Sequence, residues 1–569
     1  MDYSKLTECY ELLEKTSARL KKIEIVAKLL RESDSENLPR VTLLLQGKVF
    51  PSWSEKEIGI ADQLMIKIIS TSTGFSTEEI NRKYKETGDL GLVVESVVKQ
   101  RKQSTLFQKK LTVEMVFENL RRIAEVEGKG AQNRKFQLVS EILSSASPKE
   151  AKYIVRTVLG DLRIGVAAGI IRDSIAEAFF PEREKKEVVN LIEWAWFLRP
   201  DYGEIARIAK ERGIEGLKKV RIEVGKPYHV LLAEKAPSLE EGLKKFENPS
   251  LEYKYDGARI IIHKKADKIW LFTRRLENVT KQFPDCIELV KRCVKAKECI
   301  IEGEMLAIEP ETGEPKPFQL LSQRIKRKYN IEEMVKQIPV QVNLFEIVYL
   351  NGKLLFDKPL RERRKILESI IKPIKGKFQF SKQLVTKDLK KADNFYKSAL
   401  KDKQEGVMIK NLDAKYQPGR RVGYWLKVKP TLETLDLAIT GGIWGTGKRA
   451  GWLGSFILGC RNPDTGEFLE CGMLGTGIKE KKTKPEDVTF EELTKILKPY
   501  IISEKEGTVK IQPKIVVEVA YEEIQKSPNY SSGFALRFPR FIRIRTDKGP
   551  DEADDIERIY RIFETQKGK

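Results

Sequence analysis

The sequence predicts a multidomain chain: an all-α N-terminal region, an α/β middle region and a strand-rich C-terminal region that suits a small β-barrel. Three observations support this prediction. The chain has 569 residues, too many for one hydrophobic core when a domain holds roughly 150. The apolar pattern is helical up to about residue 212 and takes a period of two after residue 221. From residue 435 onward, glycines and short strands follow at close spacing.

Residues 1–221 form the predicted helical domain. LTECYELLEKTSARLKKIEIVAKLL and AQNRKFQLVSEILSSA carry apolar residues three and four positions apart, which is typical of amphipathic helices. Turns rich in small residues, such as TGDLG at 87–91, separate the helices. Most Lys and Arg residues of this region are explained by the solvated faces of an ordinary helical bundle.

Residues 222–430 form the predicted α/β domain. ARIIIHKK, KIWLFTRR, CIIEGEMLAI and VQVNLFEIVYL have the pattern of strands, whereas LRERRKILESII and DLKKADNFYKSALKD have that of helices. Residues 431–569 form the third domain. Its strands extend from LDLAITGGIW to FIRIRTDK, and DIERIYRIFETQ predicts a C-terminal helix.

The charge balance indicates a polyanionic partner. Lys and Arg number 105 against 83 Asp and Glu, a formal net charge of +22. Such an excess favours phosphate binding through the release of counterions. A thermophile's charge-rich surface would explain the density of charges but not their sign.

The cysteine spacing argues against a zinc protein, and the N-terminal sequence argues against a signal peptide. The six cysteines form no CxxC pair and the chain has two histidines, so a zinc site is not expected. MDYSKLTECYELLEK lacks an apolar signal core, and no window approaches ~18 uncharged apolar residues. We expect a cytoplasmic monomer that has no membrane partner.

Charged residues share strand faces in the α/β region. Because side chains alternate along a strand, three pairs each point to one side: Glu252 with Lys254, Glu302 with Glu304, and Lys427 with Lys429. A half-buried face that carries charges is costly unless they are paired or bind a charged ligand. Salt bridges explain each strand taken singly, whereas three such strands in one region favour a site.

Lys254 is the candidate nucleophile. With a reference pKa near ~10.4 a lysine is protonated at neutral pH, and nearby cations lower that pKa by repelling the ammonium form. The same cations would stabilise phosphate oxygens as charge moves to a leaving pyrophosphate. Carboxylates such as Glu304 and Glu405 offer Mg²⁺ the oxygen ligands it prefers. The cations in question are Arg259, Arg274 and Lys427.

Lys254-Tyr255-Asp256-Gly257 resembles the KxDG motif of the covalent nucleotidyltransferases, which include DNA ligases, RNA ligases and capping enzymes. Six further blocks follow in the family's order: FTRRLENVT (272–280), IIEGEMLA (300–307), NLFEIVYLNG (343–352), EGVMIK (405–410), PGRRVGYWLKVK (418–429) and ALRFPRFIRIRTDK (535–548). Together they resemble the ATP-dependent DNA ligases, most closely the archaeal ones. GKGAQNRKFQLVSEIL and LGDLRIGVAAGIIRDSIAEAF are similar to the helical DNA-binding domain of those ligases; WGTGKRAGWLGSFILG and YEEIQKSPNYSSGFALRFP are similar to their OB-fold domain.

The resemblance implies an ATP-dependent DNA ligase that seals nicks in double-stranded DNA during replication, recombination and repair. It also implies that Lys254 receives AMP as a phosphoramidate and that Mg²⁺ supports every step. The implied nucleotide-binding residues are Glu252, Arg259, Arg274, Glu304, Phe345, Arg421 and Lys427. Among these, Phe345 would stack on adenine, Arg259 would address the ribose or the nick phosphate, and Lys427 would contact the α-phosphate. Glu304 and Glu405 are the implied metal ligands.

The resemblance extends to DNA and to a protein partner. Lys129, Arg163 and Arg543 are the expected DNA contacts, with Arg543 in a strand of four arginines that is otherwise explained as a solvated basic edge. QSTLF at 103–107 resembles a segment that docks on the replication sliding clamp through Gln103, Leu106 and Phe107. An ordinary loop that buries Leu106 and Phe107 explains QSTLF equally well.

Small departures and rival functions stay open. Thr273 and Ala414 stand where the family commonly has serine, and neither change removes a charged group. Lys410 is left out, since in a regular strand it faces away from Glu405. An RNA ligase or capping enzyme would use the same covalent lysine, but the long helical domain argues against both. The missing four-cysteine module argues against an NAD-dependent ligase. A non-catalytic DNA-binding scaffold is the rival from another class.

Overall fold

In a computed structural model of the chain, the structure describes residues 1–51, 53–54, 56–100, 110–126, 128, 130–327, 329–430, 433–445, 449 and 451–566. The chain divides into two compact units. The first comprises Met1–Glu234, Gly257–Ser381 and Leu412–Trp425, and the second comprises Lys235–Asp256, Lys382–Asn411 and Leu426–Lys569. These units do not follow the three predicted domains one to one, and the predicted domain boundaries stay predictions.

The N-terminal region is helical, as predicted. The helices described there are α1 Tyr3–Glu14, α2 Arg19–Glu32, α3 Asn37–Leu44, α4 Asp62–Thr73, α5 Thr77–Thr87, α6 Leu90–Lys99, α7 Val113–Glu125, α8 Ala131–Ser145, α9 Pro148–Val158, α10 Ala168–Phe179, α11 Lys185–Leu198 and α12 Tyr202–Lys218. Capping residues fix the starts of several of these helices. Ser147 and Glu150 form a capping box at α9, and Thr112 caps α7 through the Met115 N–H.

A buried group of ion pairs joins three of these helices. Arg156 in α9, with its side chain 3% exposed, pairs with Asp89 at 2.6 Å and with Glu14 of α1 at 3.1 Å. Lys152, one turn earlier, pairs with Glu11 at 2.8 Å. Asp89 also caps α6. Buried charges are tolerated when each has a partner, and here the partners tie α1, α6 and α9 together.

The first unit also contains a six-stranded sheet. Its strands are β3 Ala258–Lys265, β4 Lys268–Thr273, β5 Glu298–Ala307, β6 Val340–Leu350, β7 Lys353–Leu354 and β8 Phe378–Phe380, in the order β4-β3-β5-β6-β7 with β8 also on β6. Four helices accompany them: α14 Pro284–Cys293, α15 Phe318–Ile325, α16 Ile331–Gln337 and α17 Leu360–Ile370. Ile260, Ile262, Ile301 and Leu344 are fully buried in the core. The four strands predicted from period two are confirmed.

A five-stranded sheet carries Lys254. It comprises β1 Glu234–Lys235, β2 Pro249–Lys254, β9 Gln383–Val385, β10 Gly406–Asn411 and β11 Trp425–Val428, in the order β1-β11-β10-β2-β9. The helices α13 Leu239–Lys244 and α18 Leu389–Lys401 lie in the same unit. In the antiparallel register of β2 and β10, Gly406 stands opposite Lys254.

The C-terminal region is mostly sheet. Its strands are β12 Leu435–Trp444, β13 Leu453–Arg461, β14 Phe468–Leu474, β15 Ile501–Lys505, β16 Thr508–Ile511, β17 Val516–Ala520, β18 Glu523–Lys526, β19 Phe534–Arg537 and β20 Arg540–Ile544; its helices are α19 Phe490–Leu497 and α20 Ile556–Thr565. Seven strands follow the order β14-β13-β12-β16-β15 with β17 bridging β12 and β20, and β18 pairs with β19. Among the described strands this pairing does not close into a ring, so the barrel stays a prediction. The C-terminal helix is confirmed.

All six cysteines are buried, and none of them forms a disulfide. In the described part of the chain, no helix combines the length and apolarity needed to cross a bilayer.

Gly257 is required where β2 leads into β3. A Cβ atom added at this position would lie 2.4 Å from the Met305 carbonyl oxygen and 2.8 Å from a Leu306 methyl. We therefore expect Gly257→Ala to lower the unfolding free energy of the first unit by about 1–3 kcal/mol, because backbone must shift to admit the methyl group. The first transition of thermal unfolding, which need not be two-state in a chain of this size, should move to lower temperature.

Gly169→Ala is the matched control in the same unit. An added Cβ there meets only the Arg19 guanidinium at 3.5 Å, an ordinary contact. Alanine is also the better helix former, so this variant should not lose stability. Equal destabilisation by both substitutions would contradict the steric explanation.

Candidate active site

Lys254, at the end of β2, is paired with Glu405. The Lys254 Nζ lies 2.5 Å from Glu405 Oε2, and the side chains are 21% and 15% exposed. The main chains also meet, since the Glu405 N–H donates to the Lys254 carbonyl at 2.9 Å. Glu405 immediately precedes Gly406, whose φ of +138° and close approach to the Val428 carbonyl exclude a side chain. The strand start is thereby shaped so that Glu405 faces the lysine.

Glu405 serves two lysines. Lys429 Nζ lies 2.6 Å from the same carboxylate oxygen, and it also pairs with Glu522 at 3.2 Å. Burial alone would raise the Glu405 pKa, but attraction to Lys254 and Lys429 holds that pKa at about 2. The carboxylate is therefore ionised at neutral pH and neutralises part of a strongly cationic site.

Lys427 is the cation of this group whose charge is disfavoured. Its partial burial, together with repulsion from Lys429 and Lys254, lowers the Lys427 pKa. Burial acts in the same direction on Lys429, yet Glu405 and Glu522 outweigh it and raise the Lys429 pKa. Lys427 is well placed to bind an anion, because a bound phosphate would offset its repulsion from Lys429 and Lys254.

Glu252 lies on β2, two residues before Lys254, and is buried against Lys410. Both side chains are 2% exposed, and Lys410 Nζ donates to Glu252 Oε2 at 2.7 Å. Lys410 was left out of the expected site because it faces away from Glu405 in a regular strand. The structure brings it instead to Glu252, across the pairing of β2 and β10. The buried Glu252–Lys410 pair therefore links β2 to β10 two residues before Lys254.

Arg537 reaches the same group from β19. Its Nη1 lies 3.1 Å from Glu523, 3.8 Å from Asp256 and 4.0 Å from Glu405. Arg537, Glu523 and Glu405, which come from distant parts of the sequence, line one cleft. Its other lining residues include Gln404, Lys429 and Glu522. Nothing in the local pattern around ALRFPR points to Glu405, so sequence analysis did not place Arg537 in this group.

Arg259 is the centre of a second group, in the first unit. Its Nη2 lies 2.5 Å from Glu302, whose side chain is fully buried, and its Nη1 donates to the Leu231 carbonyl at 2.7 Å. The guanidinium also lies over the rings of Phe345 and Trp425, at 5.3 and 5.1 Å from their centroids. Phe345, on β6, is buried and meets Trp425 edge to face.

Further cations stand near Arg259. Partial desolvation, followed by repulsion from Arg259 and Arg421, lowers the pKa of the exposed Arg274 guanidinium, while Glu304 opposes that effect. Glu304 stands opposite Arg259 in the register of β3 and β5. The expected residues of the first unit thus lie within electrostatic reach of one another.

The structure describes two of the three expected DNA-contact residues and none of the expected clamp-binding residues. Arg163 is half exposed, has a φ of +58° and pairs with Asp161 at 2.6 Å. Arg543 is 61% exposed and pairs with Glu518 at 2.7 Å. Lys129 and the clamp residues Gln103, Leu106 and Phe107 lie outside the described residues.

The described residues offer a metal ion single carboxylates and no preformed cluster of ligands. Within the described ranges, no three or more His, Cys, Asp or Glu side chains gather as a metal-binding group. Mg²⁺ is commonly held by one or two carboxylates together with waters and substrate phosphates. Glu405, ionised and partly exposed, fits that pattern. The site chemistry is therefore suited to a metal that arrives with a phosphate ligand.

Comparison with known proteins identifies relatives along nearly the whole chain. Family models described as DNA ligase N terminus, ATP dependent DNA ligase domain and ATP dependent DNA ligase C terminal region match residues 2–176, 230–429 and 449–548. The DNA ligase of Nanoarchaeum equitans (strain Kin4-M) is 49% identical over 569 residues, covering 100% of this chain and 99% of the relative. The DNA ligase of Thermococcus onnurineus (strain NA1) is 45% identical over 568 residues, covering 100% and 98%.

A solved structure shares the fold at low sequence identity. It is described as Pmar-Lig_PreS3, is 17% identical, and superposes with a TM-score of 0.56 over 95% of this chain and 99% of its own.

The Glu405 carboxylate predicts how stability depends on pH. Its pKa falls from an ordinary value of 4.5 to about 2 in the folded protein. A depressed carboxylate pKa contributes stability above the unfolded pKa, and that contribution is lost as pH falls through the folded pKa. Glu405→Gln should therefore be less stable than the wild type at pH 6, and the difference should shrink between about pH 4.5 and 2. Thermal midpoints of both proteins across this range provide the measurement.

Glu247→Gln is the control, because Glu247 is exposed and pairs only at the surface with Lys387. A difference between wild type and Glu405→Gln that stays constant down to pH 2 would show that Glu405 is not held ionised by its lysines.

Proposed function

The chain belongs to the family of ATP-dependent DNA ligases, and we propose that Lys254 is the nucleophile with which it seals nicks in duplex DNA. The observation that carries this proposal is the arrangement around the Lys254 amine. It stands at the end of a strand, in contact with one ionised carboxylate, with Lys427 and Lys429 close by. A half-exposed amine among cations and one acid is suited to attack a phosphorus atom whose oxygens the cations stabilise.

The reaction proceeds in three displacements. The neutral Lys254 amine attacks the α-phosphorus of ATP, an N–P bond forms, and the bond to pyrophosphate breaks with its electron pair leaving on pyrophosphate. The proton lost from the lysine passes to solvent. The 5′-phosphate at a nick then displaces Lys254 from AMP, giving the DNA-adenylate. Finally the 3′-hydroxyl attacks the 5′-phosphorus and gives its proton to solvent, a phosphodiester bond forms, and the bond to AMP breaks with its electron pair leaving on AMP.

We assign the remaining residues by their contacts. Lys427 is disposed to hold the α-phosphate, because anion binding relieves its repulsion from neighbouring lysines. Phe345 offers a buried ring for adenine to stack on. Arg259 addresses the ribose or the nick phosphate. Arg274, Arg421, Glu252 and Glu304 complete the proposed nucleotide-binding set.

Mg²⁺ is proposed as the metal, held by Glu405 or Glu304 together with phosphate oxygens and water. When bound, it supplies Lewis-acid stabilisation of phosphate charge. Glu405 itself neutralises Lys254 and Lys429 in the absence of other ligands. Replacing one of those contacts by a metal bond would release the Lys254 amine from its acid.

The parts of the chain outside the active site have proposed roles as well. We propose that the C-terminal region is an OB-fold barrel, that Lys129, Arg163 and Arg543 contact the DNA backbone, and that QSTLF binds a sliding clamp through Gln103, Leu106 and Phe107. Contacts to the backbone are independent of sequence, as general nick sealing requires. We further propose that the protein acts as a monomer in the cytoplasm.

Covalent labelling tests the nucleophile. The purified protein, free of bound AMP, is incubated with Mg²⁺ and α-labelled ATP, denatured, and in parallel chased with nicked DNA or nicked RNA. We expect label to survive denaturation in the wild type and to be absent from Lys254→Ala, because only an amine at this position can form the phosphoramidate. Nicked DNA, and not nicked RNA, should discharge the label with sealing.

Lys387→Ala is the control, since Lys387 is exposed and paired with Glu247. It should label like the wild type. Folded wild-type protein that acquires no label would overturn the mechanism, and discharge by nicked RNA would identify an RNA ligase.

Salt dependence tests the proposed DNA contacts. A protein that neutralises six or more phosphates should lose about 10³-fold in affinity for nicked DNA between about 50 and 200 mM salt. Arg163→Gln should reduce the slope of log K against log salt by about one, whereas Lys397→Gln, an exposed lysine of α18 paired with Asp393, should leave it unchanged. Fluorescence anisotropy provides the measurement. A shallow slope in the wild type would mean that the basic excess serves another purpose.

A further inference from the structure

Residues 225–231 follow the helical region in the sequence, and they form hydrogen bonds both to a helix and to a strand of the first unit. At the helical side, the His229 N–H donates to the Phe197 carbonyl of α11 at 2.8 Å, and the His229 ring packs 4.2 Å from that of Trp196. At the sheet side, the Gly225 N–H donates to His263 Nδ1 of β3 at 3.1 Å. Residues 225–231, which we term the tether, therefore connect α11 to the sheet that bears Arg259.

Tyr228 lies in the middle of the tether and is buried, with 1% of the residue exposed. Its hydroxyl donates to Glu302 Oε1. The Tyr416 hydroxyl donates to the same oxygen at 2.5 Å. The other oxygen of Glu302 is left for Arg259, at 2.5 Å. Two donors thus saturate one carboxylate oxygen and direct the second toward the guanidinium.

The tether also contacts Arg259 directly, three residues after Tyr228. The Leu231 carbonyl accepts from Arg259 Nη1 at 2.7 Å, and the Leu231 N–H donates to the Tyr416 hydroxyl at 3.0 Å. Arg259, Glu302, Tyr416 and the tether consequently form one closed set of hydrogen bonds. Such a network fixes the plane of the guanidinium as well as its position, because each bond restricts a different atom.

The tyrosine hydroxyls remain donors over the working pH range. Burial, and after it the charge of Glu302, raises the pKa of Tyr228 and that of Tyr416 well above the ordinary value. Tyr228 lies outside the sequence blocks that carry the family resemblance, more than twenty residues before the block that begins at Lys254. Its role is therefore visible in the tertiary structure and not in those motifs.

We propose that Tyr228, acting through Glu302, is a positioning residue that fixes the Arg259 guanidinium for nick sealing and makes its placement depend on the tether from the helical region. The proposal rests on the proposed role of Arg259 in addressing the ribose or the nick phosphate. Without the Tyr228 hydroxyl, Glu302 Oε1 would have a vacant lone pair that competes for Arg259. The guanidinium would then lose its single orientation.

The test is Tyr228→Phe, which keeps the buried ring and removes only the hydroxyl. Three rates are measured separately: labelling of Lys254 by ATP, transfer of AMP to a nick, and closure of a nick that is already adenylated. We expect Tyr228→Phe to slow the same steps as Arg259→Gln, by about 10-fold, since a hydrogen bond to a buried charge is lost. The step-by-step profile distinguishes positioning from a general loss of stability.

Two further variants complete the design. Tyr10→Phe is the matched control, because Tyr10 is a fully buried tyrosine of α1 whose hydroxyl has no hydrogen-bond partner among the described residues; it should leave all three rates unchanged. Tyr416→Phe removes the other donor to Glu302 Oε1 and serves as the test if Tyr228→Phe does not fold. It should affect the same steps.

The double variant that combines Tyr228→Phe with Arg259→Gln tests whether the two residues act together. If Tyr228 acts through Arg259, adding Tyr228→Phe to Arg259→Gln should cause no further loss. The same additional loss in both backgrounds would overturn the proposal. If Arg259→Gln itself slows no step while Lys254 still labels and DNA is still sealed, the assigned role of Arg259 is wrong, and with it this inference, although the ligase mechanism stands.

Discussion

The carboxylate of Glu405 is the contact on which the second unit's active group depends. Lys254 and Lys429 both approach one of its oxygens, at 2.5 and 2.6 Å. Three lysines gathered near a strand end repel one another, and burial removes much of the water that would screen them. An acid with a pKa held at about 2 keeps that group of lysines assembled.

Other buried charges in the chain are likewise paired with a group of opposite charge. Glu252 and Lys410 neutralise each other inside the five-stranded sheet, Arg363 and Glu346 do so with both side chains fully buried, and Arg156 is enclosed by acids between helices. A buried pair contributes little net stability, but the loss of one partner is costly. These pairs therefore specify which elements lie together more than they stabilise the fold.

The two charged groups differ in how they use their acids. Glu405 shares one oxygen between two flexible lysines, an arrangement that a phosphate or a metal can replace without breaking backbone contacts. Glu302 is instead fully buried and saturated by two tyrosine hydroxyls and a planar guanidinium. The first arrangement leaves Lys254 able to exchange its acid for another partner. The second holds the Arg259 guanidinium in one orientation.

The sequence by itself determined the class of fold and the order of the blocks, and it predicted Lys254 as the nucleophile. Period two along β2 was enough to place Glu252 and Lys254 on one face, because alternation is a local property of an extended chain. Tertiary structure alone decided the partners: Lys429 for Glu405, Lys410 for Glu252, Arg537 for the cleft, and Tyr228 for Glu302. Strand alternation sets the direction of a side chain but not the register of neighbouring strands, and these partners lie tens to hundreds of residues apart. Their contacts follow from how elements pack, which no local pattern encodes.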